Sequence, residues 1–350
     1  MAPHRFFEDF TPGTRSVHGP ISIDQAAIIA FAKEFDPQPF HVDEAAARES
    51  FVGELIASGW HSCALVMRLL ADNILHDAAS MGAPGIEEVR WLHPVRPGDS
   101  VRLRASVLEA LRSQKRPGMG RVRFRFELIG ADDTILLDQT NWIMFGTREA
   151  AQTAAPIRYG NGPSRTGGAG SGPGTPDRTG GDHPPENAQA APPMPFFEDL
   201  AVGEEAELGS YAFTPDNIVA FARQFDPQPF HLDEQAARES AFGGLCASGW
   251  HTGAAWMKCM VGHRNRGREA ARSAGLPVPD FGPSPGFTNL VWRRPVYAGD
   301  VIRYRSRITD KRPSRSRPGW GLAFSHNSGI NAAGETVFAF DGCVFWRARG

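Results

Sequence analysis

The chain has 350 residues, 41% hydrophobic and 22% charged, which is the balance of a globular protein with room for two domains. Its formal net charge of −2 excludes the strong basic excess of a general nucleic-acid-binding protein. No stretch approaches the roughly 18 apolar residues of a membrane span, and residues 1–10 lack the apolar core of a secretory signal. The four cysteines form no C-x-x-C pair, and a chain of this size needs no disulfides for stability. Because no secretory signal is recognised, we expect reduced thiols and a cytoplasmic location.

The first predicted helix ends near Asp36, because Pro37 disfavours the helical conformation in the residue before it. Asp24 or Ser22 can cap its first turn. Its apolar side chains recur with the spacing of one helical face, at Ile28, Phe31, Ala32 and Phe35.

A polar segment follows this helix, reading Asp36-Pro37-Gln38-Pro39-Phe40-His41. Five extended residues span roughly 16 Å, so Asp36 and His41 can cooperate only if the segment curls. In that case the two side chains can hold one water molecule, with one group accepting a proton and the other donating one. The alternative is a proline-rich turn with a capping Asp36 and a solvated His41.

A second, buried helix is predicted to begin at Ser58-Gly59 and to continue through Ile74. The first turn of a helix has unpaired N–H groups, and Gly59 allows close approach of a ligand to its backbone, so the Gly59 N–H is a candidate oxyanion donor. The alternative is a capped helix start with glycine for close packing. His61 is a conceivable metal ligand, but its spacing from His41 matches no recognised metal motif, and we predict no metal site.

Strands are predicted after the second helix. Val122, Phe124, Phe126 and Leu128 alternate with charged residues, as in a sheet with one solvated face. Helices followed by a run of strands predict an α+β fold, in which an antiparallel sheet packs on a central helix. Basic residues near the hairpin ends are either solvating charges or contacts for the phosphates of a carrier nucleotide: Arg112, Lys115, Arg116, Lys311, Arg312, Arg315 and Arg317.

The whole pattern occurs twice. Residues 31–61 recur 190 positions later, at 221–251, with 23 of 31 positions identical. Further along the chain the matching positions lie 201 apart, so the second copy contains 11 extra residues, which we place within 263–285. Residues 160–193 contain 16 Gly or Pro and no large apolar side chain, as in a flexible linker. We therefore predict domains at 1–150 and 194–350, joined by a linker at 151–193. The second copy's candidate residues are Asp226, His231, Ser248 and Gly249.

The two polar motifs of each copy, D-P-Q-P-F-H and A-S-G-W-H, resemble those of the MaoC-like dehydratases, which include the (R)-specific enoyl-CoA hydratases. The resemblance extends over both copies, with Gln38 and Phe40 at positions where the family motif has Asn and an aliphatic residue. It implies a double hot-dog fold in one chain, with each sheet wrapped around a central helix. Two such chains are expected to form a homodimer.

The resemblance also implies an activity, the reversible hydration of trans-2-enoyl thioesters of CoA or acyl carrier protein, without a cofactor. Asp36 with His41, and Asp226 with His231, would hold the water and exchange its protons. Gly59 and Gly249, with Ser58 and Ser248, would bind the thioester oxygen. Whether one or both sites act stays open, and the alternatives are a hot-dog thioesterase and a non-catalytic acyl-thioester-binding protein.

Overall fold

A computed structural model describes residues 4–152, 182–183 and 192–349. We call 4–152 the first half and 192–349 the second half. The first half contains β1 (Arg15–Ser22), α1 (Gln25–Phe35), α2 (Pro39–Val42), α3 (Glu44–Glu49), α4 (Gly59–Leu70), β2 (Gly85–Trp91), β3 (Ser100–Arg112), β4 (Met119–Ile129), β5 (Ile135–Gly146) and α5 (Arg148–Gln152).

The second half repeats this order of elements. After β6 (Asp182–His183) it contains β7 (Glu205–Ala212), α6 (Pro215–Phe225), α7 (Pro229–Leu232), α8 (Glu234–Glu239), α9 (Gly249–Ser273), β8 (Gly286–Trp292), β9 (Val301–Pro313), β10 (Trp320–Ile330) and β11 (Thr336–Arg347).

The helix boundaries follow from their capping residues. Asp24 accepts a hydrogen bond from the N–H of Ala27 at the start of α1, so Asp24, rather than Ser22, is the cap. Thr214 caps α6 in the same way, with Pro215 in the first helical position. Both α1 and α6 end one residue before the aspartate of the polar segment, as Pro37 requires in the first half.

All the strands belong to one antiparallel sheet, in the order β1-β3-β4-β5-β2-β8-β11-β10-β9-β7-β6. Its two halves meet at β2 and β8, where Gly85 pairs with Val291 and Arg90 with Gly286. A shift of 201 positions converts Gly85 into Gly286 and Arg90 into Val291, so each of these pairs is the counterpart of the other. The halves are therefore related by a pseudo-twofold axis. Gly85 and Gly286 lie on this seam, and a Cβ at either position would collide with the opposite backbone.

The central helices α4 and α9 are enclosed by the sheet and bury most of their side chains. In the first half the α-helix ends at Leu70 and continues as a π-helical turn over Ala71–Leu75, whereas α9 continues to Ser273. The extra residues of the second half therefore lengthen this helix and the loop that precedes β8. No helix among the described residues is long and apolar enough to cross a membrane.

This arrangement confirms the predicted α+β class. The predicted order of helices before strands is wrong at the start of each half, where β1 and β7 precede the first helix and pair with β3 and β9. Within the predicted linker, β6 pairs with Tyr211 and Ser210 of β7. Residues 153–181 and 184–191 of that segment lie outside the described residues. The domain boundaries stay a prediction.

Candidate functional site

The polar segment curls, so Asp36 and His41 lie close together. Asp36 follows the last residue of α1, and the single turn of α2, which begins at Pro39, carries His41 back toward it. The His41 Nε2 lies 3.5 Å from the Asp36 Oδ2. Both side chains are buried, with 2% and 4% exposure. The two groups therefore form a juxtaposed carboxyl–imidazole pair rather than a solvated turn.

Two side chains hold the Asp36 carboxyl group in place. Ser58 donates its hydroxyl hydrogen to Oδ2 at 2.6 Å, and Gln38 donates from Nε2 to Oδ1 at 2.9 Å. The Ser58 Oγ also accepts a hydrogen bond from the N–H of Trp60 in the first turn of α4. Ser58 thus ties the carboxyl group to the helix start, and its predicted role in binding the thioester oxygen stays a prediction.

The orientation of His41 is fixed by the backbone. Its Nδ1 lies 2.8 Å from the carbonyl oxygen of Ile56, which can only accept, so Nδ1 carries the hydrogen. In the neutral ring the Nε2 lone pair is then directed toward Asp36. Proton exchange at this imidazole therefore passes through Nε2, on the side of the carboxyl group.

Gly59 supplies a backbone donor beside this pair. Among the described residues, no acceptor pairs with its N–H, as expected at the first position of a helix. Trp91 donates from its indole Nε1 to the carbonyl oxygen of Gly59 at 3.0 Å, and its ring covers the glycine so closely that a Cβ would overlap it. Glycine is thus required for packing here, and it leaves a helix N-terminal N–H beside the pair.

A cavity of about 490 Å³ opens at these groups, and we call it the Asp36 cavity. Its first-half lining includes Asp36, His41, Gly59 and Trp91. Much of the remaining wall comes from the second half, from α9, the loop before β8, β10 and β11. Its volume lies in the usual range for small-molecule sites. The site is therefore composite, with a polar motif from one half and a wall from the other.

The second half repeats the pair with almost identical geometry. The Nε2 of His231 lies 3.5 Å from the Oδ2 of Asp226, Ser248 donates to that oxygen at 2.6 Å, and His231 Nδ1 bonds to the carbonyl oxygen of Cys246. Gly249 lies under Trp292 as Gly59 lies under Trp91. Local geometry alone does not distinguish the two pairs.

The walls that face the two pairs differ. Ser325 and Asn327 of β10 line the Asp36 cavity. Their first-half counterparts, 201 positions earlier, are Phe124 and Phe126 of β4, which are completely or almost completely buried and stack 5.1 Å apart. By the pseudo-twofold relation, these two phenylalanine rings occupy on the Asp226 side the positions that small polar side chains occupy on the Asp36 side.

His61 and His251 lie deep in the protein, away from any ligand set. His61 stacks on Phe31 with ring centroids 4.5 Å apart, and His251 stacks on Phe221 at 4.7 Å. Burial lowers the pKa of each imidazole to about 3, so both rings are neutral. In the part of the chain that the structure describes, no three His, Cys, Asp or Glu side chains are grouped as a metal ion would require.

The basic residues of the hairpins have different surroundings. Arg112 pairs with Glu149, and Lys311 donates to the carbonyl oxygens of Phe197 and Glu198. Arg317 is the member of this set that lines the Asp36 cavity, where its guanidinium lies 4.0 Å from the ring centroid of Phe51.

Sequence reasoning missed the contribution of the second half to this cavity. The missed residues lie on α9, the loop before β8, β10 and β11, which are distant in sequence from Asp36. A signal was nevertheless present, because polar residues replace apolar ones between the aligned copies at several of these positions. The missed lining residues of the second half include Arg264, Ser325 and Asn327, and in the first half Trp91 was also missed.

The family model described as the MaoC-like domain matches two segments of the chain, residues 9–124 and 199–319. Together these segments cover most of the chain and include both Asp–His pairs. The chain belongs to the MaoC-like dehydratase family. A 3-hydroxybutyryl-CoA dehydratase of Methylorubrum extorquens is 28% identical to it over 143 residues, which cover 41% of this chain and 82% of that protein.

Solved structures share the whole architecture of this chain. A putative MaoC-domain dehydratase from Chloroflexus aurantiacus superposes with a TM-score of 0.76 at 17% identity, covering 100% of this chain and 99% of that one. A double-hotdog protein from Mycobacterium tuberculosis superposes with a TM-score of 0.65 at 14% identity, covering 98% of each chain. The predicted double hot-dog fold is confirmed.

Proposed function

We propose that this MaoC-like protein is a hydro-lyase that hydrates trans-2-enoyl thioesters, carried by CoA, to 3-hydroxyacyl thioesters. The observation that carries the proposal is the buried Asp36–His41 pair beside the Gly59 N–H, all three lining one cavity. The Methylorubrum relative, a 3-hydroxybutyryl-CoA dehydratase, supports the same reaction class and carrier.

The reaction adds the water oxygen to C3 and a proton to C2 of the enoyl group. As the C3–O bond forms, the electrons of the double bond move toward the thioester oxygen, and the Gly59 N–H stabilises the charge that develops there. The pair holds one proton before the reaction, on Oδ2 of Asp36 or Nε2 of His41. The unprotonated member takes a proton from the water while the protonated member delivers its own to C2, and transfer of a proton between Oδ2 and Nε2 then restores the starting state. The pair as a whole gains and loses one proton, and dehydration reverses these steps.

We further propose that the reaction takes place at Asp36 and His41, and that the Asp226–His231 pair is idle. The Asp36 cavity has room for an acyl group where Ser325 and Asn327 form its wall. The corresponding wall on the other side carries Phe124 and Phe126, whose packed rings leave less space for a substrate. In this proposal the first half supplies the catalytic pair, and the second half supplies the cavity wall that contacts the acyl group.

The direct test is to incubate the protein with crotonyl-CoA, and with longer trans-2-enoyl-CoA esters, and to follow enoyl absorbance together with free thiol. We expect absorbance to fall without thiol release, and 3-hydroxyacyl-CoA to form. Release of free thiol together with the free enoic acid, without a 3-hydroxyacyl-CoA product, would instead identify a thioesterase. Tight binding of all chain lengths without reaction would identify a non-catalytic binding protein.

The hydrogen bond from Ser58 to Asp36 gives a matched pair of variants. We expect Ser58→Ala to lower kcat about 10-fold, because one donor that positions the carboxyl group is lost. We expect Ser248→Ala, which removes the same bond at Asp226, to leave kcat unchanged. Each variant also loses a helix cap, at a cost of about 1 kcal/mol of stability, so denaturant unfolding should show equal destabilisation. Equal losses of activity would contradict the assignment to the first half.

A further inference from the structure

A buried arginine lines the Asp36 cavity. Arg264 lies on α9 and is only 9% exposed. Its guanidinium carbon lies 4.4 Å from the ring centroid of Phe281 and 5.8 Å from that of Trp346. These rings support the flat guanidinium group from the protein side, since cations stack favourably on aromatic faces.

No anionic side chain neutralises this arginine. Within residues 4–152, 182–183 and 192–349, the Arg264 guanidinium has neither an ion pair nor a hydrogen-bond acceptor, and its Nε is enclosed without a partner. Burial and, to a smaller extent, the neighbouring Arg268 lower the pKa of Arg264 to about 10, while Asp36 acts in the opposite direction. A buried cation without a partner costs several kcal/mol of stability, so a cavity arginine of this kind calls for an anion.

The two halves differ systematically around this position. Counting 190 positions back in the helix, Arg264 corresponds to Ile74, which is buried in the first half. The wall residues Ser325 and Asn327 likewise replace two phenylalanines. Asn327 is 1% exposed and hydrogen-bonds to Ser325 through its Nδ2. Polar groups have thus taken the place of apolar ones at several points of the same wall.

We propose that Arg264 binds an anionic group on the acyl part of the substrate, such as a carboxylate at the end of a short enoyl chain. This inference rests on the proposed function, because it names the class of thioester that the Asp36 cavity accepts. The planar guanidinium matches a carboxylate with two parallel hydrogen bonds, and here the two terminal nitrogens would donate them because Nε is enclosed by protein atoms. A substrate with a purely aliphatic acyl chain would leave this buried charge unpaired in the complex.

Asp36 and Arg264 line the same cavity of about 490 Å³. An acyl chain with its C2–C3 bond at Asp36 and its end at Arg264 must fit within this volume. The phosphates of CoA, which are large and strongly hydrated, fit better near exposed basic residues at the cavity margin, such as Arg317.

The test compares binding of two saturated thioesters of similar length, glutaryl-CoA and hexanoyl-CoA, by calorimetry. These ligands cannot be hydrated, so the result does not depend on catalysis. We expect the unmodified protein to prefer glutaryl-CoA. We expect Arg264→Met to weaken glutaryl-CoA binding about 100-fold, with little change for hexanoyl-CoA, because only the carboxylate loses its partner. Arg264→Lys, which keeps the charge but not the fork geometry, should retain part of the preference.

Arg268→Met is the matched control. Arg268 also lies over Phe281, with its guanidinium carbon 5.0 Å from the ring centroid, but it is not among the residues that line the cavity. It should leave the preference unchanged. Equal weakening of both ligands by Arg264→Met would show that Arg264 binds the CoA carrier or serves only packing. A preference of the unmodified protein for hexanoyl-CoA would overturn the inference, and this result does not depend on the folding of Arg264→Met.

Enoyl thioesters with a terminal carboxylate and four to six acyl carbons are then assayed beside crotonyl-CoA. Hydration of the neutral esters combined with rejection of the carboxylated ones overturns the anion site and leaves the proposed function standing. A binding preference for glutaryl-CoA without any hydration overturns the proposed function and leaves the anion site standing.

Discussion

Asp36→Asn is expected to lower the rate of enoyl-CoA hydration by about 10³-fold, whereas Asp226→Asn leaves it nearly unchanged. General acid–base catalysis contributes roughly 10²–10⁴ in rate, and an amide neither accepts a proton from water nor returns one. The amide is close in shape to the carboxyl group, so the packing around residue 36 is kept. The measurement is kcat and KM for each single variant and for the double variant.

The two aspartates are unusually well matched as mutual controls. Each accepts hydrogen bonds from one serine and one glutamine, at the same distances, and each faces a histidine at 3.5 Å. The structural cost of the substitution should therefore be equal, and denaturant unfolding of the two single variants checks this. A large loss in Asp226→Asn, alone or equal to that of Asp36→Asn, would show that the second pair reacts and that Phe124 and Phe126 do not exclude substrate there.

The sequence predicted the parts of this protein that depend on local chemistry. The spacing of Ile28, Phe31 and Phe35, and the proline after Asp36, were sufficient to predict α1 and its end, because both signals act within one or two turns. The alternation around Phe124 predicted a strand for the same reason. The repeat of residues 31–61 then extended these predictions to the second half.

The distance between Asp36 and His41 was not predictable from their spacing. It depends on the turn of α2 and on the carbonyl oxygen of Ile56, which holds the imidazole from another segment. The hydrogen bond from Ser58 to Asp36 was likewise not predictable, because the family resemblance implied only a role for Ser58 in binding the thioester oxygen. This bond depends on the three-dimensional approach of the helix to Asp36.

The wall of the cavity was the part least visible in the sequence. Arg264 lies 228 positions from Asp36 along the chain, and the two come to one cavity only because the halves pair through β2 and β8. A duplicated sequence nevertheless contains information about such positions. Where one copy keeps Ile74, Phe124 and Phe126 in its core and the other has polar residues, the difference marks a site that serves something other than packing.

Acid should destabilise the protein through His61 and His251. Burial is the main cause that lowers the pKa of both rings to about 3, with smaller contributions from His41 near His61, and from His231 and Lys258 near His251. In the unfolded chain both rings have a pKa of about 6.5. Unfolding therefore takes up protons, and the stability present above pH 6.5 is lost progressively as the pH falls toward 3.

The size of this effect follows from the two pKa values. At pH 5 each ring is expected to cost about 2 kcal/mol of stability relative to pH 8, or about 4 kcal/mol for the two together. The double variant His61→Phe with His251→Phe removes both titrating groups, while keeping an aromatic ring to stack on Phe31 and on Phe221. It should lose much less stability between pH 8 and pH 5.

The measurement is denaturant unfolding at a series of pH values for the unmodified protein and the double variant. Other groups titrate in the same range, including His263, whose pKa burial lowers to about 4, so the difference between the two curves isolates the two stacked rings. The Nδ1 of each ring is buried without a hydrogen-bond partner in the described structure, so phenylalanine loses no bond at that atom. At His251 the Nε2 lies 3.4 Å from the Tyr211 hydroxyl, and His251→Phe removes this contact at pH 8 as well as at pH 5. Parallel curves would show that the rings are already protonated, or accessible to water, in the folded protein.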